Sequence, residues 1–383
     1  MNLLTTLPLA LAPLLLSPAT AQMRKISDEE VRKVHASALL IDSHNDVTSG
    51  TVMGLDIGAA RTTGHTDIPR LRKGGVGAVF FAAYVSQDHA AKGTSAHRAL
   101  EMIDTIRHDI AGRYPGEFQL ALTAGDIVSA HKAGRIAALI GVEGGHAIED
   151  SPRLLRQLHA LGVRYMTLTH TNHNGLADSS GQAGAPNNGL SPLGKQVVAE
   201  MNRLGMMVDI SHVSDKTFWD VLDVAKTPPL ASHSSCRALS NIPRNMTDDM
   251  IAALAKAGGV VQINFGCEFV SQVSATSSPW SNPALKGKKK SSDVTPATLF
   301  DVVAQIEHAI KVAGEDGVGI GSDFDGVPCV PKGLADVSQF PALTRALLER
   351  GHSAARIRKI YGGNLLRVMR GAEATAAALA EKR

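Results

Sequence analysis

The sequence predicts a (β/α)8 barrel of the TIM type, and three observations support this fold class. Eight short apolar runs follow residue 26, and amphipathic stretches of helical period separate them. Most runs are continuously apolar rather than alternating, which is typical of parallel strands covered on both faces. Polar residues able to carry chemistry close several of the runs, where such a barrel places its active site. A doubly wound open sheet is the alternative, but it does not account for those strand ends.

The elements are predicted in order along the chain. The predicted strands cover residues 38–47, 76–85, 135–144, 164–170, 206–213, 229–234, 260–266 and 318–324. The predicted helices cover residues 95–112, 123–133, 151–161, 191–204, 215–225, 247–257, 295–313, 337–350 and 353–370. A short helix over 28–36 is expected before the barrel, and a long loop over about 270–293 after the seventh strand. Thr247 and Thr295 are the expected N-caps of their helices.

The composition fits an ordinary globular protein with one barrel domain over residues 23–383. Of the 383 residues, 44% are hydrophobic and 20% are charged. A formal charge of +3 is too small to indicate nucleic-acid binding, and the basic run 286–290 is interpreted as a solvated loop. Aromatic residues make up only 4% of the chain, which disfavours a carbohydrate-stacking surface.

The first 22 residues resemble a secretory signal peptide. An apolar stretch over 7–16 precedes Ala19-Thr20-Ala21, a typical cleavage pattern. An uncleaved membrane anchor is the alternative, because the segment before the apolar stretch lacks Lys and Arg. We therefore expect an exported protein, periplasmic or secreted, without a stable membrane anchor.

The cysteines leave two interpretations open. Cys236, Cys267 and Cys329 show no C-x-x-C spacing and cannot all pair within one chain. One disulfide would fit an oxidising compartment. Three buried free thiols fit the sequence at least as well.

Residues able to bind metal ions close five of the predicted strands. His44 and Asp46 end the first strand two residues apart, so their side chains face the same side and can reach one ion. Other strand ends carry further ligand types at equivalent heights, namely Glu143, His212, His233 and Asp323. Any one of these residues alone is more often a cap or a hydrogen-bonded core group. The set is interpreted as a site, because a structural role would require five independent coincidences.

Most of the remaining histidines lie on predicted helices or loops and are assigned structural roles, and His170 is ambiguous on its own. His146 and His173 lie near the rim of the predicted barrel, and their roles stay undecided.

The ligand set predicts a two-metal hydrolase. Two ions about 3.5–4 Å apart, bridged by a carboxylate and a water, lower the pKa of that water toward ~7 and polarise a carbonyl. Imidazole and carboxylate ligands favour Zn²⁺, while Mn²⁺, Co²⁺ and Fe²⁺ stay open. Asp323 would then transfer a proton to the leaving group.

Six segments are similar to characteristic segments of the membrane (renal) dipeptidases, a branch of the amidohydrolase-like metallo-barrels. They are IDSHNDV, GVEGGHAI, RYMTLTHTNHN, DISHVS, SHSSCRALSNIPRNMTDD and GIGSDFDGV. The resemblance runs in order over nearly the whole mature chain. It implies a barrel with two Zn²⁺ that hydrolyses small dipeptides by a metal-bridging hydroxide. The mammalian members carry a lipid anchor, whereas no such signal is recognised here, so a bacterial-type exported member is expected.

The resemblance also assigns the metal ligands residue by residue. His44 and Asp46 correspond to ligands of one zinc ion. His212 and His233 correspond to ligands of the other, and Glu143 corresponds to the carboxylate that bridges them.

Three further residues receive roles in substrate binding and catalysis from the resemblance. His170 would contact the substrate and the tetrahedral oxyanion. Arg244 would hold the carboxyl terminus of the dipeptide, as a bidentate Arg–carboxylate pair does. Asp323 would meet the substrate amine and transfer protons.

Two other functions are weighed against the dipeptidase. A related metal-dependent hydrolase could act on another small amide or a β-lactam-like ring. A non-catalytic metal-binding barrel is disfavoured, because no ligand position is lost. A homodimer would be common for such barrels, although no residue in the sequence specifies an interface.

Overall fold

Eight parallel strands form the centre of the protein in the computed structural model, which describes residues 24–290 and 293–382. With a short ninth strand, β3, which pairs with β4, the strands are β1 (Leu40–Asn45), β2 (Val76–Tyr84), β3 (Phe118–Leu120), β4 (Ile136–Glu143), β5 (Val163–Thr167), β6 (Met207–Asp209), β7 (Leu230–Ser234), β8 (Val260–Ile263) and β9 (Val318–Ile320). Neighbouring strands follow the order β1-β2-β4-β5-β6-β7-β8-β9. The predicted (β/α)8 barrel is confirmed.

The barrel closes between β9 and β1 at the carboxyl ends of the strands. Asn45 and Phe324 form an isolated parallel bridge. The main-chain N–H of Asp46 donates to the carbonyl of Phe324 at 2.9 Å, and that of Asp323 donates to the carbonyl of His44 at 3.1 Å. The seam therefore joins the two segments that carry His44, Asp46 and Asp323.

Helices alternate with the strands, as predicted. In chain order they are α1 (Asp28–Ala36), α2 (Thr48–Thr51), α3 (Ile68–Lys73), α4 (Gln87–Lys92), α5 (Ser95–Thr105), α6 (Ala124–Lys132), α7 (Pro152–Ala160), α8 (Pro192–Leu204), α9 (Asp215–Val224), α10 (Asp248–Lys256), α11 (Cys267–Val270), α12 (Gln272–Ser277), α13 (Leu299–Ala313), α14 (Phe340–Glu349), α15 (Ala354–Arg358) and α16 (Asn364–Ala380). Within the predicted loop over 270–293 lie α12 and a 3-10 turn, Pro283–Leu285.

One of the two predicted N-caps is confirmed and the other is wrong. Thr247 caps α10, since its hydroxyl accepts a hydrogen bond from Met250 N at 3.2 Å. The N-cap of α13 is Thr298, not Thr295. Thr298 forms a parallel bridge with Lys332, which keeps the chain extended up to that residue and delays the start of the helix.

Most strands end earlier than predicted, and in three of them this changes where a site residue lies. β5, β6 and β9 end three residues before His170, His212 and Asp323, which lie in the turns that follow. His212 and Asp323 adopt left-handed backbone conformations with φ of 66° and 61°. Ile210 and Phe324 in these turns are as buried as strand residues, so hydrophobicity does not mark the strand ends.

A large tyrosine in the barrel interior supports the metal centre described below. Tyr165 on β5 is fully buried and packs against Phe80 at a ring-centroid distance of 5.2 Å. Gly141 on β4 makes room for it, because a Cβ there would lie 2.0 Å from the Cζ of Tyr165. The hydroxyl of Tyr165 reaches the upper end of the barrel, where it contacts His44 at 2.8 Å.

One disulfide links two loops at the carboxyl ends of the strands. Cys267 at the start of α11 is bonded to Cys329 in the loop after β9, across a sequence separation of 62 residues. Cys236 is a buried free thiol, and burial raises its pKa to about 12. Of the two interpretations left open by the sequence, the structure has the disulfide.

We expect the disulfide to contribute substantially to stability. Replacing both Cys267 and Cys329 by Ala releases a loop of 62 residues in the unfolded chain, which costs about 4 kcal/mol of unfolding free energy. For a chain of this size the Tm should fall by about 5 °C. Thermal unfolding with and without reductant measures the change, and the double variant should be insensitive to reductant. An unchanged Tm would contradict the expectation.

No helix within residues 24–290 and 293–382 combines the length and apolarity needed to cross a membrane. The predicted signal peptide over 1–22 lies outside the described residues.

Candidate metal centre

Two groups of buried ligand atoms meet at the carboxyl end of the barrel. We call His44, Asp46 and Glu143 site A, and Glu143, His212 and His233 site B. In site A, His44 Nε2 lies 3.2 Å from Asp46 Oδ2 and 3.6 Å from Glu143 Oε2. In site B, Glu143 Oε1 lies 3.0 Å from His212 Nε2 and 3.2 Å from His233 Nε2. Glu143 therefore directs a different carboxylate oxygen to each site.

The atoms of site A fit a cation. His44 Nε2 and Asp46 Oδ2 are buried, and neither has a hydrogen-bond partner in the described part of the chain. Leaving a buried polar atom unpaired costs about 1–3 kcal/mol, so such atoms are rare unless they bind something. Neutral imidazole nitrogens together with carboxylate oxygens form a donor set typical of zinc.

Hydrogen bonds behind the imidazoles orient His44 and His233 toward the sites. The hydroxyl of Tyr165 donates to the carbonyl of Ser43 at 3.1 Å, so it accepts from Nδ1–H of His44. The hydroxyl of Ser232 donates to Asp209 and therefore accepts from Nδ1–H of His233 at 2.7 Å. In both rings Nδ1 carries the proton that this partner accepts, and Nε2 is the nitrogen that faces the site. Such outer partners fix the tautomer of a metal-binding histidine.

Asp209 shapes the loops that carry two of the ligands. It ends β6, and its Oδ1 accepts from the main-chain N–H of Ser211 at 3.0 Å and of Ser232 at 2.9 Å. Those residues directly precede His212 and His233. The buried carboxylate thereby fixes the relative position of the two imidazoles of site B.

Burial and neighbouring charges set the ionisation of the site. Burial lowers the pKa of His212 and of His233 well below the ordinary value, which keeps both rings neutral and able to bind metal. Burial alone would raise the pKa of Glu143, but the imidazoles around it, His44 foremost, lower it well below the usual range. Glu143 therefore faces sites A and B as a carboxylate.

Asp323 is protonated more readily than an ordinary aspartate. Burial raises its pKa well above the usual value, and the neighbouring carboxylate of Asp46 adds to the effect. Asn264, directly after β8, donates to Asp323 Oδ2 at 2.7 Å, which leaves Oδ1 to carry a proton. Asp323 also lies with His44 and His233 in a third group of potential ligands.

His170 lies at the edge of site B. Its Nε2 is 3.8 Å from Glu143 Oε1, and its ring centroid is 4.5 Å from that of His212. Tyr84 at the end of β2 contacts the same imidazole edge-on, with centroids 4.9 Å apart. Burial lowers the pKa of His170, so the ring is neutral and can donate one hydrogen bond.

Arg244 lies behind site B. Its Nη1 donates to Ser234 Oγ at 2.9 Å and its Nη2 donates to the carbonyl of His233 at 2.8 Å. Its guanidinium carbon lies 5.7 Å from the ring centroid of Phe269. The Nε of Arg244 is buried without a hydrogen-bond partner among the described residues.

A pocket of about 340 Å³ opens over the two sites. Of the predicted residues it is lined by Asp46, Glu143, His170, His212 and Asp323. The sequence prediction missed other lining residues, among them Tyr84, Glu268, Phe269 and Trp280. Tyr84 ends β2 as Glu143 ends β4, and this position at a strand end was a signal available in the sequence.

The two histidines left undecided have partners outside the metal sites. His146 Nε2 contacts the carbonyl of Val85 at 2.9 Å. His173 Nδ1 accepts from the main-chain N–H of Ser179 at 3.0 Å.

The family model for membrane dipeptidases, peptidase family M19, matches residues 28–383. The chain belongs to this family. It is therefore a metallo-dipeptidase, a hydrolase of peptide bonds, and its family implies a metal cofactor. The ligand groups of sites A and B are where the structure offers this M19 dipeptidase a place for metal.

Individual relatives agree with membership of the M19 family. The dipeptidase verJ of Clonostachys rogersoniana is 39% identical over 370 residues, which cover 92% of this chain and 89% of that protein. The probable dipeptidase PvdM of Pseudomonas aeruginosa has the same fold, with a TM-score of 0.83 at 24% identity over 91% of this chain and 98% of that one. A metallopeptidase of Rhodobacter sphaeroides, solved with a phosphinate mimic of the dipeptide L-Ala-D-Ala, has a TM-score of 0.74 and 28% sequence identity. The match covers 88% of this chain and 99% of that one.

Proposed function

We propose that the protein is a binuclear zinc dipeptidase that cleaves the peptide bond of small dipeptides. The observation that carries the proposal is the position of Glu143, whose two oxygens face two separate ligand groups. With His44 and Asp46 on one side and His212 and His233 on the other, each group offers two further ligands. When bound, two zinc ions would supply a bridging hydroxide and polarise the scissile carbonyl.

We assign the handling of the leaving group to Asp323. Its Oδ2 accepts from Asn264, so Oδ1 is the oxygen that holds and releases a proton. A carboxyl group whose pKa is raised by burial is suited to act as a general acid. In this assignment Asp323 protonates the amine nitrogen as the peptide bond breaks. His170, held between Tyr84 and His212, donates a hydrogen bond to the oxygen of the scissile carbonyl.

We assign recognition of the substrate's carboxyl terminus to Arg244. The guanidinium is fixed to the main chain of His233, so its distance from site B is constant. A carboxylate bound there would place the preceding peptide bond at the metal centre, which favours dipeptides over longer peptides. The related metallopeptidase solved with a mimic of L-Ala-D-Ala supports a substrate of this size.

Replacing Arg244 by Gln should mainly weaken substrate binding. Losing a charge-assisted hydrogen bond of about 1.5–3 kcal/mol corresponds to an increase in KM of roughly 10- to 150-fold. The kcat should change much less. Steady-state kinetics on Ala-Ala measure both, with metal content and Tm confirming that the variant is folded. An unchanged KM would remove Arg244 from the substrate site. For a carboxyl-amidated dipeptide, the parent protein and the variant should be equally poor enzymes.

Hydrolysis of a panel of dipeptides, with and without a chelator, tests the proposed function. We expect release of free amino acids from L,L- and L,D-dipeptides, its loss after chelation, and its return on addition of Zn²⁺. Tripeptides and amidated dipeptides serve as controls and should be cleaved poorly. Absence of metal-dependent release from every dipeptide would refute the proposal.

We also propose that the protein is exported. The apolar stretch over 7–16 and the pattern Ala19-Thr20-Ala21 fit a signal peptide. The disulfide between Cys267 and Cys329 supports an oxidising compartment, where such bonds persist.

A further inference from the structure

A second cavity, of about 390 Å³, adjoins the metal centre on the other side of His170. We call it the His170 side cavity. It is bordered by the start of α5, the turn after β4 and the loop after β5, which contribute Ser95, His146, Glu149, Asp150 and His173. Because His170 also lines the pocket over sites A and B, one imidazole forms a wall of both spaces.

Two exposed carboxylates, Glu149 and Asp150, give the His170 side cavity its negative charge. Glu149 and Asp150 line it, and no Lys or Arg is found among its described lining residues. Glu149 Oε1 accepts from the main-chain N–H of Ala96 at 3.0 Å. The carboxylate of Asp150 has no hydrogen bond or ion pair within residues 24–290 and 293–382. Burial lowers the pKa of His146, which keeps that imidazole uncharged.

A buried hydroxyl inside the cavity is also left without a partner. Ser95 is only 1% exposed, it lines the cavity, and its Oγ finds no hydrogen-bond partner in the described chain. Leaving such a group unpaired costs about 1–3 kcal/mol, a cost that a polar ligand would remove. Glu149 and Asp150 have left-handed backbone conformations, with φ of 45° and 56°. Strained backbone of this kind is concentrated at binding and active sites.

We propose that the His170 side cavity is a subsite for a lysine or arginine side chain on the amino-terminal residue of the dipeptide. The proposal rests on the proposed function, in which His170 contacts the oxygen of the scissile carbonyl. That carbonyl belongs to the amino-terminal residue, so the side chain of this residue starts beside His170. The long flexible stem of lysine passes the imidazole and brings its ammonium group to Glu149 and Asp150. Ser95 Oγ then accepts a hydrogen bond from the same group.

Competing substrates that differ in one charge test the subsite on the zinc-loaded full chain. Lys-Ala and norleucyl-Ala share a straight carbon chain, and norleucine lacks the ammonium group. We expect kcat/KM to be about 10-fold higher for Lys-Ala. We call kcat/KM for Lys-Ala divided by kcat/KM for norleucyl-Ala the substrate ratio. Measured on one preparation, this ratio does not depend on how much of the enzyme is active. Partial misfolding of a variant therefore does not affect it.

Two variants of the cavity and one control locate the effect. In E149Q/D150N the ratio should fall to about 1, and Asn tolerates the left-handed backbone at position 150. In S95A it should fall two- to threefold. The control E29Q/D223N removes two exposed carboxylates on α1 and α9, outside the cavity, and should keep the parent ratio.

The outcomes separate the subsite from the proposed function. Three results would overturn the subsite. The parent protein could show a substrate ratio near 1, E149Q/D150N could keep the ratio of the parent, or the ratio could fall as far in the control E29Q/D223N as in E149Q/D150N. If Ala-Ala is still hydrolysed in those cases, the proposed function stands. Failure of the zinc-loaded parent to hydrolyse Ala-Ala, Lys-Ala and norleucyl-Ala would refute the proposed function, and the subsite with it.

Discussion

Replacing Glu143 by Gln should abolish dipeptide hydrolysis and lower the zinc content below two ions per chain. Both sites depend on this carboxylate, which lies 3.6 Å from His44 and 3.0 Å from His212. The amide keeps the shape of the side chain, but it loses one acceptor oxygen and the negative charge. We expect kcat/KM to fall at least ~1000-fold, equivalent to about 4 kcal/mol of transition-state stabilisation.

Metal analysis and steady-state kinetics on the same sample measure both effects. The matched control is Glu315→Gln, which makes the same chemical change in a half-buried carboxylate outside the metal centre that is paired with Arg356 and Lys359. It should keep two zinc ions and parent activity. A Glu143→Gln protein that retained both ions and full activity would contradict the bridging role.

Replacing Asp323 by Asn should lower kcat strongly while leaving the metal content at two ions per chain. Asn cannot supply a proton, and loss of a general acid typically costs 10²–10⁴-fold in rate. The left-handed backbone of Asp323, with φ of 61°, is a conformation that Asn tolerates well, so the variant should fold. The KM should change less than kcat.

The metal content of Asp323→Asn separates two roles for this residue. Asp323 also lies within a group of potential ligands with His44 and His233. If it were a required ligand, zinc would be lost together with activity, and that result would contradict the proton-transfer role. Asp325→Asn is the matched control, since Asp325 lines the same pocket with φ of 67°. It should retain most of the rate.

The barrel and the convergence of its candidate metal ligands were predictable because parallel strands place all their carboxyl ends at one rim. Once eight strands were recognised, His44, Asp46, Glu143, His212 and His233 were expected to converge, and the structure brings them together. The exact strand ends were not predictable. The turns that carry His212 and Asp323 include apolar residues, Ile210 and Phe324, that are as buried as those of the strands.

The residues that support the ligands were missed for a different reason. Tyr165, Asp209 and Asn264 act through hydrogen bonds across neighbouring strands or loops, and register decides which atoms meet. No spacing along the chain encodes that register. Asn264 nevertheless follows β8 directly, at the same rim as the candidate ligands. If the residues at all eight strand ends had been treated as candidates, Asn264 and Tyr84 would have been among the predicted site residues.

The central claim is that two metal ions at sites A and B are required for dipeptide hydrolysis. Titrating metal-free protein with Zn²⁺, while measuring bound metal and Ala-Ala hydrolysis in parallel, tests it most directly. Activity should saturate when two zinc ions are bound per chain. Full activity with one ion or with none would contradict it.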